Sequence, residues 1–240
     1  MSKVAKHQQI ATDLLQKIQD GTYPPQTLIP REVDLMATYG VSRPTVRQAI
    51  QSLVDQGLLE KRKRRGTLVK QTKIEQAFTQ VVKGYNDEMH ANGLVPQTKV
   101  LLLQAETATA TVAQNLQLAV GAPVIKLVRL RYANGQPVVL ITSYLPVLDA
   151  VDLLTVDFTQ AALYETLATA GLTVDHVRRR LDVLVADETT ADLLNVNQGA
   201  PLFYFHTQGF TPQSRPVEYS IAKYRGDVNY FVMNLQRATK

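Results

Sequence analysis

The stretch VSRPTVRQAIQSLVDQG, Val41–Gly57, reads as a short helix with two unlike faces. Ser42 is a suitable N-cap, because its hydroxyl can accept a hydrogen bond from a first-turn backbone N–H. Pro44 falls in that first turn, where a missing N–H costs little, and Gly57 supplies the stop. At about 100° per residue, Val46, Ala49, Ile50 and Leu53 gather on one side as a buried stripe. Pro44, Arg47, Gln48 and Gln51 point away from it, with Arg43 on the flank. That outward side has cations and amides but no acid, and Arg and Gln carry the donor geometry that fits guanine and adenine edges. A solvated amphipathic helix is the competing reading, and the flanking sequence decides between the two.

On the N-terminal side a first helix is expected from about Val4 to Ile18, with Ile10, Leu14, Leu15 and Ile18 at helical spacing. Gly21 and Pro24–Pro25 end it. A second helix, about Arg31–Tyr39, is expected to bury Val33, Leu35 and Met36, and Gly40 breaks it just before Ser42. Two short helices joined by so small a turn make a helix-turn-helix. Beyond Gly57, Leu58–Leu59 and Thr67–Val69 read as two short strands, with Lys61–Gly66 as the hairpin tip. The consecutive cations Lys61–Arg65 repel one another there unless phosphates or a minor groove receive them. Residues 1–73 are therefore expected to form a winged helix.

The totals narrow the rest. A chain of 240 residues is long enough for one or two domains with a real core. No apolar run approaches a membrane span, the N-terminus lacks the apolar core of a signal peptide, and a cytoplasmic location is the default expectation. Cysteine is absent, which excludes disulfides and thiolate chemistry. His7, His90, His176 and His206 lie far apart without ligand spacing, so neither a metal site nor a cofactor is expected. The net charge of +5 is unevenly spread: residues 1–73 hold 13 Lys/Arg against 6 Asp/Glu, and residues 74–240 hold 13 against 15. The positive excess implies a polyanion as partner of the first third alone, with nucleic acid, double-stranded DNA for a winged helix, as the candidate and an anionic membrane surface as the alternative. No helix pairs basic residues with a broad aromatic face, so a membrane partner is not expected.

The run from Ile18 to Val69 resembles the winged-helix domain of GntR-type bacterial transcription regulators. The loop around Gly21-Thr22-Tyr23-Pro24, the start of the second helix at Pro30-Arg31-Glu32, the segment Val41-Ser42-Arg43-Pro44-Thr45-Val46-Arg47 and the wing ending Gly66-Thr67-Leu68-Val69 carry the likeness. The resemblance implies that Arg43 and Arg47 read bases or phosphates. It also implies that Ser42 and Thr45 hold phosphates and that Arg65, Gly66 and Thr67 enter the minor groove. Gln48 joins them from its place on the outward face. Two positions depart from the family. Arg31 replaces the usual Ser, adding a cation at a helix start, and Arg64-Arg65-Gly66 replaces Gly-x-Gly, making a bulkier, more charged wing tip.

Residues 74–82 read as a linker, and 83–240 as a second domain containing an internal repeat. The segment from Ala113 aligns with that from Ala191: Gly121-Ala122-Pro123 matches Gly199-Ala200-Pro201, and Pro137 matches Pro216. Each copy reads helix, turn, strand, hairpin, strand, and Asn134-Gly135 is a strong hairpin turn. Two such copies are expected to meet about a pseudo-twofold axis in one antiparallel sheet, with helices on one side and a cavity between the halves. A helix near Ala161–Ala170, a strand near His176–Ala186 and a closing strand near Tyr230–Leu235 complete an α+β class. The cluster Arg178–Arg180 lies on a strand, with Arg179 facing opposite its neighbours.

The hairpin RLRYANGQPVVLITSYLP, the segment ADETTADLLNVNQGAPL and RPVEYSIAKYRGDVNYF resemble the UTRA effector domain of the HutC subfamily of GntR-type regulators. That resemblance implies a chorismate-lyase-like fold, a homodimer joined through this domain, and a small-molecule effector, often an anionic metabolite such as a sugar phosphate or carboxylate. Strand alternation places Arg129 and Arg131 on one face, and Glu218, Ser220, Ala222 and Tyr224 on one face of another strand. The resemblance implies arginines and a Glu/Tyr pair among the ligand residues at these positions, so Arg129, Arg131, Glu218 and Tyr224 are the core effector-binding candidates, with Ser143 and Tyr144 as additions. A structural Arg–Glu salt bridge is the alternative. Sugar-phosphate-binding members carry Glu where this chain has Ile141 and Ser where it has Ala162.

Three functions compete. A ligand-responsive repressor dimer predicts a near-palindromic operator with half-sites one helical turn apart, about 34–36 Å. An architectural DNA binder without a ligand predicts affinity governed by salt alone. A chorismate-lyase-like enzyme needs convergent acid–base groups, and no spacing among Glu218, Tyr224, His176 and His206 supplies them.

Overall fold

The computed structural model describes residues 5–63, 65–70, 73–78, 84–148 and 151–233. The chain divides into two compact units, Met1–Lys73 and Ile74–Lys240. In the first, helices α1 (Lys6–Gln19), α2 (Glu32–Tyr39) and α3 (Arg43–Asp55) precede strands β1 (Leu59–Arg62) and β2 (Gly66–Val69). The α3 stripe is buried as its periodicity requires: Val46, Ala49, Ile50 and Leu53 pack with Ile10, Leu14, Ile29, Leu35, Leu59 and Val69. Gly57 ends α3 at φ +76°, with Leu58 N–H donating to Leu53 C=O and Gly57 N–H to Val54 C=O. That left-handed residue closes the helix by a Schellman-type pair of bonds.

Three local expectations are corrected in this unit. Val33 is exposed, whereas Leu35 is buried. Two residues along a helix turn the side chain about 200°, so the inward face that takes Leu35 cannot take Val33. The Ser42 hydroxyl lies 3.0 Å from the Thr45 hydroxyl, and Ser42 makes no side-chain bond to the helix backbone. The wing strands also run further than expected: Lys61 and Arg62 belong to β1, pairing with Thr67 and Gly66 of β2. A one-residue bridge from Leu28 to Leu68 adds a third short segment. Arg64 lies outside the described residues.

The second unit is built on a six-stranded antiparallel sheet of order β4-β5-β6-β9-β8-β7. Its strands are β4 (Pro96–Thr107), β5 (Pro123–Ala133), β6 (Gln136–Pro146), β7 (His176–Val185), β8 (Pro201–Phe210) and β9 (Pro216–Arg225). Helices α4 (Tyr85–Ala91), α5 (Ala110–Leu116), α6 (Leu163–Thr169) and α7 (Glu188–Leu194) surround it. The repeat is evident down to its backbone. After α5 and α7, Gln117 and Asn195 both adopt the left-handed conformation, at φ 55° and 50°. Gly121 and Gly199 then donate to Ala108 and Ala186, each at 2.8 Å. The shift that carries Pro137 onto Pro216 carries Thr142 onto Ile221, and these two are paired where β6 meets β9. The pseudo-twofold axis therefore passes through that pair. Asn134 and Gly135, both at positive φ, make the β5–β6 hairpin.

Helices cover both faces of the sheet, not one. Val124, Leu130, Leu202 and Tyr219 point to α5 and α7. Ile125, Leu127 and Leu145 point to α6, and Ala133, Val139, Phe205 and Ala222 point to Met89 of α4. Strand alternation makes each strand two-sided, and both sides carry apolar residues that need a partner. Residues 74–78, expected to belong to the linker, instead form strand β3 (Ile74–Phe78), paired in parallel with β10 (Asn229–Met233). Only five residues long, β3 lacks the run that would announce a strand. It is held by long-range groups: Gln76 is buried and donates to Asn229 at 3.0 Å. Residues 79–82 of the expected linker, and the end of the closing strand at Asn234 and Leu235, lie outside the described residues.

Candidate functional site

Two surfaces carry the chemistry, one in each unit. On the first, Ser42, Arg43, Arg47 and Gln48 are exposed and Thr45 is half-buried, with Arg31, Arg65 and Gly66 exposed and Thr67 half-buried. The outward side of α3 does meet an acid, contributed by α2. Glu32 pairs with Arg43 at 2.8 Å and with Arg47 at 3.5 Å. One carboxylate thus holds both guanidiniums side by side. Lys61 of the wing donates to Gln51 of α3 at 2.8 Å, tying β1 to the helix. Arg31 shapes the start of α2 by a backbone bond, its N–H donating to Asp34 at 3.1 Å. The Arg62 guanidinium is paired with Glu60 at 3.3 Å. The repulsion expected among the wing cations is relieved in part by these partners.

On the second unit a cavity of about 880 Å³ opens between the sheet and helices α4 and α6, with Glu75 and Gln76 of β3 and Phe231 of β10 in its wall. Arg129, Arg131, Glu218 and Tyr224 all line it. Arg129, Arg131, Glu218 and Ser143 are buried. Ser143, directly across from Ser220 and Leu127 in the ladder, donates to Glu218 at 2.9 Å and accepts from Arg129 at 3.4 Å. Tyr144 is the exception among the candidates. As the next residue on β6 it points to the other face, against Val124, Tyr219 and α5, with Lys126 5.7 Å from its ring centre. Period-two alternation forbids Ser143 and Tyr144 from sharing a site.

Among the described residues, neither Arg129 nor Arg131 is the end of a salt bridge, and no ion pair joins either to Glu218. That carboxylate is bound instead by the hydroxyls of Ser143 and of Tyr164, the latter at 2.7 Å. Arg131 lies over the ring of Tyr85, 4.8 Å from its centre, and donates to Thr98 at 3.3 Å. Nε and Nη1 of Arg129, Nε of Arg131 and the hydroxyl of Tyr85 are buried with no hydrogen-bond partner among the described residues. Unsatisfied charged donors are among the costliest groups a protein interior can hold. The electrostatics say the same. Burial, joined by the like charge of Arg131, pushes the Arg129 guanidinium down to about 9, with Glu218 pulling the other way. Burial likewise lowers Arg131, while burial and then Glu218 raise the Tyr164 phenol. A guanidinium keeps its proton at neutral pH, so this depression measures a cost of holding charge in the cavity. A negative charge placed beside the two guanidiniums would lower that cost.

Tyr164 and Tyr85 belong to the site although neither was expected there. Tyr164 lies two residues beyond Ala162, a position the family resemblance had already marked. Tyr85 opens a helix just beyond the supposed linker and gave no local signal. Arg179 also lines the cavity, from β7, and like Arg178 and Arg180 it is exposed. Of the lining acids, Asp87 and Glu165 are exposed and Glu75 and Glu88 half-buried, so Glu218 alone among them is buried. No group of three metal-ligating side chains occurs among the described residues.

A winged helix with an exposed cationic helix, joined in one chain to an α+β unit whose cavity holds two buried arginines with unsatisfied donors, defines the class of ligand-sensing DNA-binding regulators. Residues 6–69 match the profile of the bacterial regulatory proteins of the gntR family, and residues 91–228 match that of the UTRA domain. The chain belongs to the GntR family of bacterial regulators, in the group that carries a UTRA domain. It is 28% identical to the HTH-type transcriptional repressor NagR of Bacillus subtilis, over 98% of this chain and 97% of that one. It is 30% identical to the HTH-type transcriptional regulator YurK of the same organism, over 96% and 90%. The crystal structure of PhnF from Mycobacterium smegmatis matches with a TM-score of 0.67 at 28% identity, over 94% of this chain and all of that one. The protein is thus a DNA-binding transcription regulator with a small-molecule effector domain, and not an enzyme. No helix among the described residues is long and apolar enough to cross a membrane.

Proposed function

We propose that this chain is a repressor that binds a near-palindromic operator as a homodimer and changes its operator affinity when an anionic metabolite enters the cavity of the second unit. On the DNA side Arg43 and Arg47 read base edges or phosphates, with Ser42, Thr45 and Gln48 beside them. Arg31 and the wing residues Arg65, Gly66 and Thr67 add backbone and minor-groove contacts. In the cavity Arg129 and Arg131 receive a carboxylate or phosphate, Glu218 accepts from its neighbouring hydroxyls while Ser143 behind it holds that carboxylate and Arg129 in place, and Tyr224 and Tyr164 bound the remaining space.

The observation that carries this reading is the pair of buried guanidiniums with unsatisfied N–H groups beside a single buried acid. Such donors suit bidentate recognition of an oxyanion. Ile141 and Ala162 also line the cavity. They set an alkyl and a methyl group where sugar-phosphate-binding members of the family carry Glu and Ser. The ligand is therefore an anion with fewer hydroxyl or amine groups on that side than a phosphorylated amino sugar.

A thermal-shift screen of neutral sugars, sugar phosphates and carboxylates tests the reading. One anionic class is expected to stabilise the protein by about 2.7 kcal/mol at a hundred times its Kd, and Arg129→Met to lose that shift. Equal stabilisation of wild type and Arg129→Met, or stabilisation by neutral sugars alone, contradicts it.

A further inference from the structure

We propose that Tyr85 is a ligand-binding residue of the cavity, a neutral donor set beside Arg129 and Arg131 that makes the site prefer a phosphate to a carboxylate. The inference rests on the anion-binding reading above and narrows it. Tyr85 opens α4 and lines the cavity. Its ring packs with the apolar group of Met89, Val139, Phe205 and Ala222, and the Arg131 guanidinium lies 4.8 Å from the ring centre. Thr98, across the ladder on β4, accepts from the same guanidinium at 3.3 Å. Arg131 is thus steadied from the neighbouring strand and from the helix, while its Nε is left unsatisfied. Two other hydroxyls in this neighbourhood are committed, since Ser143 and Tyr164 both donate to Glu218. The Tyr85 hydroxyl is buried and has no hydrogen-bond partner among the described residues. A phenylalanine ring would meet the Arg131 cation equally well without burying an unsatisfied hydroxyl. Holding Arg131 therefore accounts for the ring, and a ligand accounts for the oxygen.

The polarity of that oxygen is fixed by its surroundings. Burial raises the phenol above its ordinary pKa and outweighs the opposing pull of Arg131, so the group is neutral and offers a proton. The guanidiniums of Arg129 and Arg131 are donors only, and neither can receive it. What the phenol needs is an acceptor brought in from outside, and the two arginines need the same. Nε carries one hydrogen and Nη1 two. The unsatisfied atoms of Arg129 and Arg131 therefore leave four N–H bonds unmade, and the Tyr85 O–H is a fifth donor. A carboxylate presents about four lone-pair sites, and charged guanidiniums bind them more strongly than a neutral phenol does. A carboxylate in the cavity satisfies the arginines and leaves Tyr85 as it was. A phosphate group brings three strong acceptor oxygens, enough for the arginines and the phenol together. The hydroxyl of Tyr85 thus contributes to one class of anion and not to the other, and selection follows from that difference.

Tyr85→Phe keeps the ring beneath Arg131 and removes only the donor. The test titrates the full-length protein with inorganic phosphate and with acetate, at constant ionic strength, and reads the apparent affinity from the thermal shift. Arg129→Met supplies the background from phosphate held elsewhere, on the exposed arginines of α3 above all. Tyr85→Phe is expected to weaken the Arg129-dependent binding of phosphate on the order of tenfold, the worth of one hydrogen bond to a charged group, and to leave acetate binding unchanged. Thr98→Val loosens Arg131 from the other side but spares the phenol, so it is expected to weaken both anions alike. Undiminished phosphate binding in Tyr85→Phe overturns the proposal, and so does an equal loss for phosphate and acetate. A phosphate-only loss in Thr98→Val overturns it as well, because the selectivity then comes from the placing of Arg131. In each of these cases the anion-binding reading stands, provided that Arg129→Met still abolishes the shift. If neither anion gives an Arg129-dependent shift in wild type, that reading fails and takes the role of Tyr85 with it.

Discussion

The two units handle positive charge in opposite ways. In the winged helix Arg43 and Arg47 are exposed and share the carboxylate of Glu32. Water and salt screen them, so waiting for DNA costs little, and a phosphate need only compete with one acid at the surface. In the sensor Arg129 and Arg131 are buried with unsatisfied donors. There the charge is held at a cost that, on the proposed reading, an anion relieves. Exposed cations give affinity that salt tunes and sequence refines. Buried ones give a site that is unfavourable when empty, and therefore one whose occupancy has something to change.

The widest test of this contrast removes a buried cation. Arg129→Met is expected to leave the ligand-free protein no less stable, since an apolar chain replaces a buried charge with unsatisfied donors, while abolishing ligand-induced stabilisation. Urea unfolding with and without ligand measures both. A loss of ligand-free stability breaks the contrast. On the exposed side, Arg47→Ala is expected to leave folding unchanged and cost about 1–3 kcal/mol of operator discrimination, read by gel-shift competition against random DNA. Unaltered preference removes Arg47 from the reading face. Glu32→Gln sharpens the comparison further. Releasing two exposed arginines is worth less than about 1 kcal/mol, and it should strengthen binding to random DNA while narrowing the gap to the operator. An equal gain on both sequences reduces Glu32 to a bystander.

The smallest expected effect lies on the far face of the sheet. Burial, then the nearby Arg180, lowers the pKa of His206 below its ordinary 6.5, and its ring nitrogen lies 2.9 Å from the Tyr219 hydroxyl. Because the folded state resists protonation, the His206 contribution is present above pH 6.5 and is lost as the pH falls below it. His206→Gln should flatten the acid side of a stability–pH curve. An unchanged slope dismisses the histidine.

What could be read from the chain alone followed the range of the interactions concerned. The α3 stripe, the Gly57 stop and the β5–β6 hairpin depend on neighbours a few residues apart, and all were legible. So was the repeat, because a copied segment copies its caps: Gln117 and Asn195 share a left-handed backbone with no glycine to advertise it. The family resemblance picked out Arg129, Arg131, Glu218 and Tyr224, which do line the cavity, and strand alternation, applied consistently, would have removed Tyr144. The strand β3 was hidden because its hold on the sensor is the Gln76–Asn229 pair across the length of the domain. Tyr85 was hidden with it, since only the fold brings its ring beneath Arg131. Glu32 was missed for the same reason: helical spacing describes one helix, and the acid that faces α3 comes from another.

The most direct test of the coupling between the two units is operator affinity by fluorescence anisotropy, using a site selected from random DNA and an anionic ligand found by thermal shift. Wild type is expected to change its operator Kd at least about fivefold when the ligand saturates it, while Arg129→Met binds the operator at one unchanging Kd. An operator Kd in wild type that is indifferent to the ligand, or one that still responds in Arg129→Met, contradicts the account.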